Sequence, residues 1–253
     1  MNDLKNALRD SAWFSPVLRL YRQWRKRGSV ARQRRFFAPF VQRNSLCFDV
    51  GAFRGGRTEI FLQLGARVVA VEPQPAAADS LQRQFNARLP LVVIPKALGP
   101  AEGQATLFIA STGYHSSLRR DWLAHVQQYE ASRLKTTCPV DVTTLDALIG
   151  TYGRPDFVKI DVEGTELDVL HGLHQPVPSL SIEYHLDQLD QTKDCLDYLA
   201  RFGSFVANYS MGHSLSWGLA ARTSPDRVLH DLVEQHQRGK TGWGDIYLIR
   251  DEE

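Results

Sequence analysis

Cysteine is scarce in this chain of 253 residues: Cys47, Cys138 and Cys195 are far apart and odd in number. That pattern argues against a secreted disulfide framework and against a paired CxxC zinc site, and it suits a reducing compartment. No run of about 18 apolar residues occurs, as a spanning helix of ordinary length would need. The N-terminus carries no apolar run followed by a small-residue cleavage site, so the expectation is a cytoplasmic protein without a signal peptide. A one-sided charge is also missing: 30 Lys and Arg against 28 Asp and Glu leave +2. Nothing in that balance calls for a nucleic-acid partner.

What charge there is lies unevenly. Residues 1 to 45 hold eleven basic residues against Asp3 and Asp10 and are +9, leaving the remainder at −7. Within them, Trp13, Phe14, Val17, Leu18, Leu20, Tyr21 and Trp24 recur at helical spacing with Arg between them, which describes a basic amphipathic helix. We read residues 1–44 as a basic helical extension packed on the domain, with weak contact at the inner membrane surface as the alternative.

From Ser45 onward, short apolar runs alternate with Gly, Pro and polar residues. Leu46 to Val50, Val68 to Glu72 and Leu91 to Ile94 read as buried strands, and Arg57 to Leu64 and Ala76 to Ala87 as the helices between them. Strands are also expected at Thr106 to Ile109, Cys138 to Val142, Phe157 to Asp161, Leu180 to Tyr184, Phe205 to Tyr209 and Asp245 to Ile249. Helices are expected at Thr144 to Ile149, Leu167 to Leu173 and Gln191 to Phe202. The succession predicts a single α/β domain over 45–253, a doubly wound and mostly parallel sheet with helices on both faces. Ser111 to Thr137 reads as a polar and aromatic lid over the strand ends, holding Tyr114, His115, Ser116, Ser117, Trp122, His125 and Tyr129. Residues 210–244 read as a C-terminal addition, with Trp217 and Trp243 as a platform for a sugar ring or as ordinary packing residues.

In such sheets a ligand binds beyond the carboxyl ends of the strands. There the sequence runs Phe48-Asp49-Val50-Gly51-Ala52-Phe53-Arg54-Gly55-Gly56-Arg57-Thr58, a glycine turn between strand and helix. Glu72 ends the second strand about twenty residues later, where a carboxylate accepts from both hydroxyls of a ribose. A dinucleotide needs a second glycine where Phe53 stands. A triphosphate needs Lys where Arg57 stands, and the two side chains are not interchangeable. S-adenosylmethionine has a ribose and no phosphate, and fits best.

Three blocks then carry a family resemblance: Phe48-Asp49-Val50-Gly51-Ala52, Val71-Glu72-Pro73, and Asp156-Phe157-Val158-Lys159-Ile160-Asp161-Val162-Glu163-Gly164-Thr165-Glu166. Ala97-Leu98-Gly99, Ser116-Ser117-Leu118, Thr144-Leu145-Asp146 and Ile182-Glu183 support them. Over roughly Ser45 to Phe205 the chain resembles the FkbM family of methyltransferases. The resemblance implies a class I methyltransferase fold, S-adenosylmethionine as donor, and a hydroxyl of a sugar, glycan, polyketide or similar metabolite as acceptor. It places Asp49 and Gly51 at the methionine end of the cofactor and Glu72 at the ribose. The candidate cofactor set is Asp49, Gly51, Ala52, Phe53, Gly55, Thr58, Glu72 and Pro73. The family's usual Asn-x-Gly after Gly-Ala is altered here, with Phe53 and Arg54 preceding Gly55.

Removing a proton from a hydroxyl acceptor calls for a base within hydrogen-bond reach, or for a metal. Asp161 ends the fourth long strand and Glu163 follows it, while Glu183 and His185 share a face of the next strand. The catalytic candidates are therefore His185 or Asp161 as base, with Glu163 and Glu183 orienting the acceptor. On a purely structural reading, Glu163 instead caps the following helix and Lys159 pairs with Glu183. Asp161, Glu183 and His185 have the chemistry for Mg²⁺, but no metal ligand is assigned. N-methyl transfer and a nucleotide-binding module without transferase chemistry are the alternatives.

Overall fold

A computed structural model describes residues 28–85, 89–127 and 132–251. The basic helix read between Trp13 and Trp24 lies outside the described residues. In chain order the strands are β1 (Leu46–Val50), β2 (Arg67–Val71), β3 (Leu91–Ile94), β4 (Ala97–Leu98), β5 (Gly103–Ala110), β6 (Leu134–Thr143), β7 (Phe157–Ile160), β8 (Ser179–His185), β9 (Phe205–Met211) and β10 (Trp243–Arg250). Seven of them form one sheet in the order β3-β2-β1-β7-β8-β10-β9. Only β10 runs antiparallel to its neighbours. The expected doubly wound, mostly parallel sheet is what the chain forms.

Strand parity divides the core in two. Phe48, Val50, Val69, Val71, Val158, Ile160, Leu180 and Ile182 point into one apolar cluster with Leu145, Leu148, Leu170, Leu196 and Leu232 from the helices. Cys47, Val68, Ala70, Phe157 and Tyr247 point to the opposite face, against Ile60, Phe61 and Leu81. Each fully buried Leu, Val or Phe contributes about 1.5–3 kcal/mol relative to exposure, which is why the central strands tolerate almost no polar residue except at their carboxyl ends.

The second cluster also takes in Phe36, Phe37, Phe40 and Val41, which follow helical residues 28–37 or belong to them. Phe37 packs edge-on against Phe61 at 5.3 Å. The end of the segment read as an extension is thus part of the core, and its boundary at residue 44 cuts through packed aromatic rings. Trp217 stacks on Phe36 at 4.4 Å, and Trp243 meets His213 edge-on at 4.9 Å.

Two further differences have local causes. β5 and β6 are longer than their apolar centres suggested and pair with each other from Gly103↔Val142 to Ala110↔Leu134. They make a separate three-stranded sheet with β4, which shortens the insertion from 111–137 to 111–133. The β-branched Thr136 and Thr137 extend β6 although their setting is polar. A helix, Pro225–Gln237, lies within the region read as a C-terminal addition. Its Ser224 side chain accepts from the Arg227 N–H, and Pro225 takes the first turn, a start signal already present in Ser-Pro-Asp.

Candidate active site

β1 and β7 are neighbours, yet the chain leaves them in opposite directions across the sheet, and the crevice opens at their carboxyl ends. Gly51 sits there at φ 81°. A Cβ at that position would lie 1.8 Å from the Asp161 backbone oxygen. The glycine therefore lets the β1 and β7 loops meet. The Gly51 and Ala52 N–H groups both donate to the Val71 carbonyl at 3.0 Å, which brings the turn beside the end of β2.

Glu72 follows β2 and is 2% exposed. One carboxylate oxygen accepts the Phe53 N–H at 2.7 Å, and the other accepts the Gln74 N–H at 2.8 Å. Burial pushes its pKa up to about 7, against the lowering effect of those two donors. Each oxygen keeps a lone pair, and the carboxylate lines a cavity together with Gly51, Phe53, Pro73, Lys96 and Asp161. A ribose presenting two donors suits such a carboxylate.

Phe53 adopts φ 45°, an uncommon conformation for a residue with a side chain. Its ring lies 4.6 Å from that of Tyr114, and the Arg54 guanidinium sits over both. The Gln74 amide donates to the Gly113 carbonyl at 3.1 Å. The first turn of the insertion is thereby fastened above Glu72, as a lid would be. Arg57 points elsewhere, donating to Gln33 at 2.6 Å.

Of the sequence-derived cofactor set, Gly51, Phe53, Glu72 and Pro73 line this cavity. Asp49, Ala52, Gly55 and Thr58 sit behind it. Thr58 donates to Asp49 at 2.5 Å, and burial raises the Asp49 pKa in spite of Lys159 nearby. Gly55 takes φ 74° just before the helix Gly56–Gln63.

The four catalytic candidates divide differently. Asp161 and Glu163 line the same cavity as Glu72, whereas Glu183 and His185 line an adjoining cleft with Arg119 and Trp122. Strand parity collects the charges on one face of the sheet: Asp49 is registered with Lys159, and Glu183 with Asp245. Lys159, 3% exposed, donates to Asp161 at 2.5 Å. Lys159 therefore pairs with Asp161, not with Glu183. Burial would raise the Asp161 pKa, but Lys159 outweighs it and holds the carboxyl below its usual value. Glu163 and Glu183 are the reverse: burial and neighbouring carboxylates hold both well above the ordinary range.

Glu163 is not a helix cap. It lies at φ 60° and accepts the Trp122 indole N–H at 3.0 Å, while Glu166 accepts the Val162 and Gly164 N–H groups. Gly164 is needed because a Cβ there, at φ 90°, would lie 2.5 Å from the Trp122 ring. Burial lowers the His185 pKa. Its ring meets Trp122 edge-on at 4.8 Å.

Glu166 and Asp245 were not singled out from the sequence, and Trp122 was named only among the residues of the insertion. Asp245 had a visible signal, a lone acid inside the apolar run Trp243 to Ile249. The contact of Trp122 with Glu163 had none, because the two are 41 residues apart.

Residues 49–206, more than half of the chain, match the family described as the methyltransferase FkbM domain. The hexuronic acid methyltransferase AglP of Haloferax volcanii is 28% identical over 167 residues, which cover 60% of this chain and 62% of that protein. The chain thus spans less than two thirds of this relative's length. Among solved structures, a TehB-like SAM-dependent methyltransferase from Corynebacterium glutamicum gives a TM-score of 0.43 at 11% identity, covering 94% of this chain and 99% of the other. Aeropyrum pernix fibrillarin, with natively bound S-adenosyl-L-methionine, gives 0.44 at 8% identity, covering 83% and 68%.

Proposed function

Because this chain belongs to the FkbM methyltransferase family, we propose that it transfers a methyl group from S-adenosylmethionine to a hydroxyl of a sugar, glycan or related metabolite. The observation that carries the reading is Glu72. It is a buried carboxylate fixed by two backbone N–H groups, with lone pairs left for ribose hydroxyls, at the switch point of a doubly wound sheet. The oxygen-acceptor part of the proposal is supported by the acidic cluster beside that pocket and by the sugar substrate in the name of the Haloferax volcanii relative.

Bound in the pocket, S-adenosylmethionine supplies an electrophilic methyl on its sulfonium. The protein's share is alignment and proton removal. Closure of the insertion through Phe53, Tyr114 and Gln74 over Glu72 excludes water and holds the donor in line with the acceptor, where positioning supplies much of the acceleration. As the new O–CH₃ bond forms and the S–CH₃ bond breaks, the acceptor proton passes to a base. His185 suits that part, since burial keeps the ring neutral near pH 7. Asp161, held ionised by Lys159, is the weaker base and orients the acceptor with Glu163 and Glu183.

The test is transfer of radiolabelled methyl from S-adenosylmethionine into uronic-acid-containing glycans, neutral glycans and amines, followed by analysis of the labelled product. The expected product is a methyl ether on a sugar hydroxyl. Label found only on amines contradicts the oxygen-acceptor reading, and S-adenosylmethionine binding without transfer to any of them favours a binding module.

A further inference from the structure

The wall between the Glu72 cavity and the Trp122 cleft is built from carboxylates. Asp161, Glu163 and Glu183 each bring one oxygen to within 4.8 Å of the other two. Asp49, Glu166 and Asp245 are buried nearby, and Lys159 is the buried cation set among them. We propose that Asp161, Glu163 and Glu183 together hold one divalent cation of the Mg²⁺ and Mn²⁺ class. The inference deepens the methyl-transfer reading and rests on it for the cation's role, which is to bind the acceptor hydroxyl and acidify it.

Three observations support the site. The spacing fits: hard divalent cations bind oxygens at about 2.0–2.6 Å, so ligand oxygens on one ion lie within roughly 4–5 Å of each other. The ligands are held from behind. Lys159 donates to Asp161 Oδ2, the Trp122 indole donates to Glu163 Oε2, and the Ser117 hydroxyl donates to the Glu163 carbonyl at 2.7 Å. Such outer contacts orient ligands before an ion arrives.

The third observation points to a missing partner. The Glu183 side chain is 7% exposed, yet among the described residues its Oε2 atom has no hydrogen-bond partner. His185 Nε2 stands 3.5 Å away, buried and equally unpartnered. A buried carboxylate oxygen without a hydrogen bond is costly, so an ion at this position satisfies an atom that otherwise meets only the His185 ring at 3.5 Å.

The experiment titrates the full chain with Mn²⁺ alone, following free Mn²⁺ by electron paramagnetic resonance. S-adenosylmethionine is titrated into the same preparation. One saturable site per chain is expected. Glu183→Gln and Glu163→Gln should each weaken Mn²⁺ by at least about tenfold while the fold persists, and Glu183→Gln should leave S-adenosylmethionine binding unchanged. No saturable Mn²⁺ binding by the wild type up to millimolar concentration overturns the site, and so does unchanged affinity in both variants. If either variant unfolds, Asp161→Asn takes its place, and unchanged Mn²⁺ affinity in it overturns the proposal. Mn²⁺ binding without S-adenosylmethionine binding supports the site and overturns the methyl-transfer reading.

Discussion

The backbone N–H of Phe53 donates to Glu72 at 2.7 Å. The residue that departs from a dinucleotide fingerprint is therefore the one that fixes the Glu72 carboxylate, and it does so through its backbone while its ring packs on Tyr114. This separation gives a first prediction. Phe53→Ala keeps the N–H and loses the Tyr114 contact, so S-adenosylmethionine affinity should fall only a few-fold, on the order of 1 kcal/mol. Glu72→Gln turns an amide NH₂ toward one of the two backbone donors and should cost at least about tenfold. Calorimetric titration of both variants checks the order.

Folding and cofactor binding should respond to pH in opposite directions. Glu72 has its native pKa raised from 4.5 to about 7, and Glu163 and Glu183 are raised as well. The native state therefore binds more protons than the unfolded state in the window above 4.5, and stability falls as pH rises through it. Asp161 is lowered, so its contribution is present above its unfolded value of 3.8 and is lost only in stronger acid. The melting temperature should be higher near pH 5.5 than near pH 8. Binding to a ribose needs ionised Glu72, so affinity should instead rise through about pH 7. Melting and titration series over this range test both signs.

Lys159 is the buried cation that offsets Asp161 and its neighbours. Lys159→Met keeps most of the volume and leaves buried carboxylates unpaired. That should cost roughly 3–5 kcal/mol at neutral pH, and less in mild acid, where the carboxyls take up protons. Urea denaturation at two pH values measures it.

Trp122 joins the two halves of the site. Trp122→Phe removes the donor to Glu163 but keeps a ring over Gly164 and His185. The expected result is a fall in kcat of about tenfold or more, with S-adenosylmethionine affinity nearly unchanged, because Glu72 is untouched. Gly164→Ala forces both a strained backbone at φ 90° and a Trp122 displacement, and should lower kcat further. Steady-state kinetics with a methylated acceptor distinguish the two variants.

The sheet was legible because its strands are short apolar runs bounded by Gly, Pro or a carboxylate, and parity alone put Glu183 and His185 on one face. Glu72 and the glycine turn were legible as a pair because their spacing along the chain follows from one βαβ unit. The partners of the acidic cluster were not. Lys159 and Glu183 lie on neighbouring strands, but Lys159 is registered with Ser181 and reaches Asp161 on its own strand. Register of that kind cannot be read from periodicity, and neither can a contact such as Trp122 with Glu163 across 41 residues. The roles assigned to Ala52, Gly55 and Thr58 came from their place in the motif. In space they support the turn from behind, because a glycine motif specifies backbone shape before it specifies contacts.

The most direct test of the account is a titration of the full chain with S-adenosylmethionine and, separately, with ATP, for the wild type and Glu72→Ala. The expected result is micromolar S-adenosylmethionine binding, lost in the variant while its fold persists, with no comparable ATP binding. ATP binding in the absence of S-adenosylmethionine binding, or S-adenosylmethionine binding indifferent to Glu72→Ala, would contradict it.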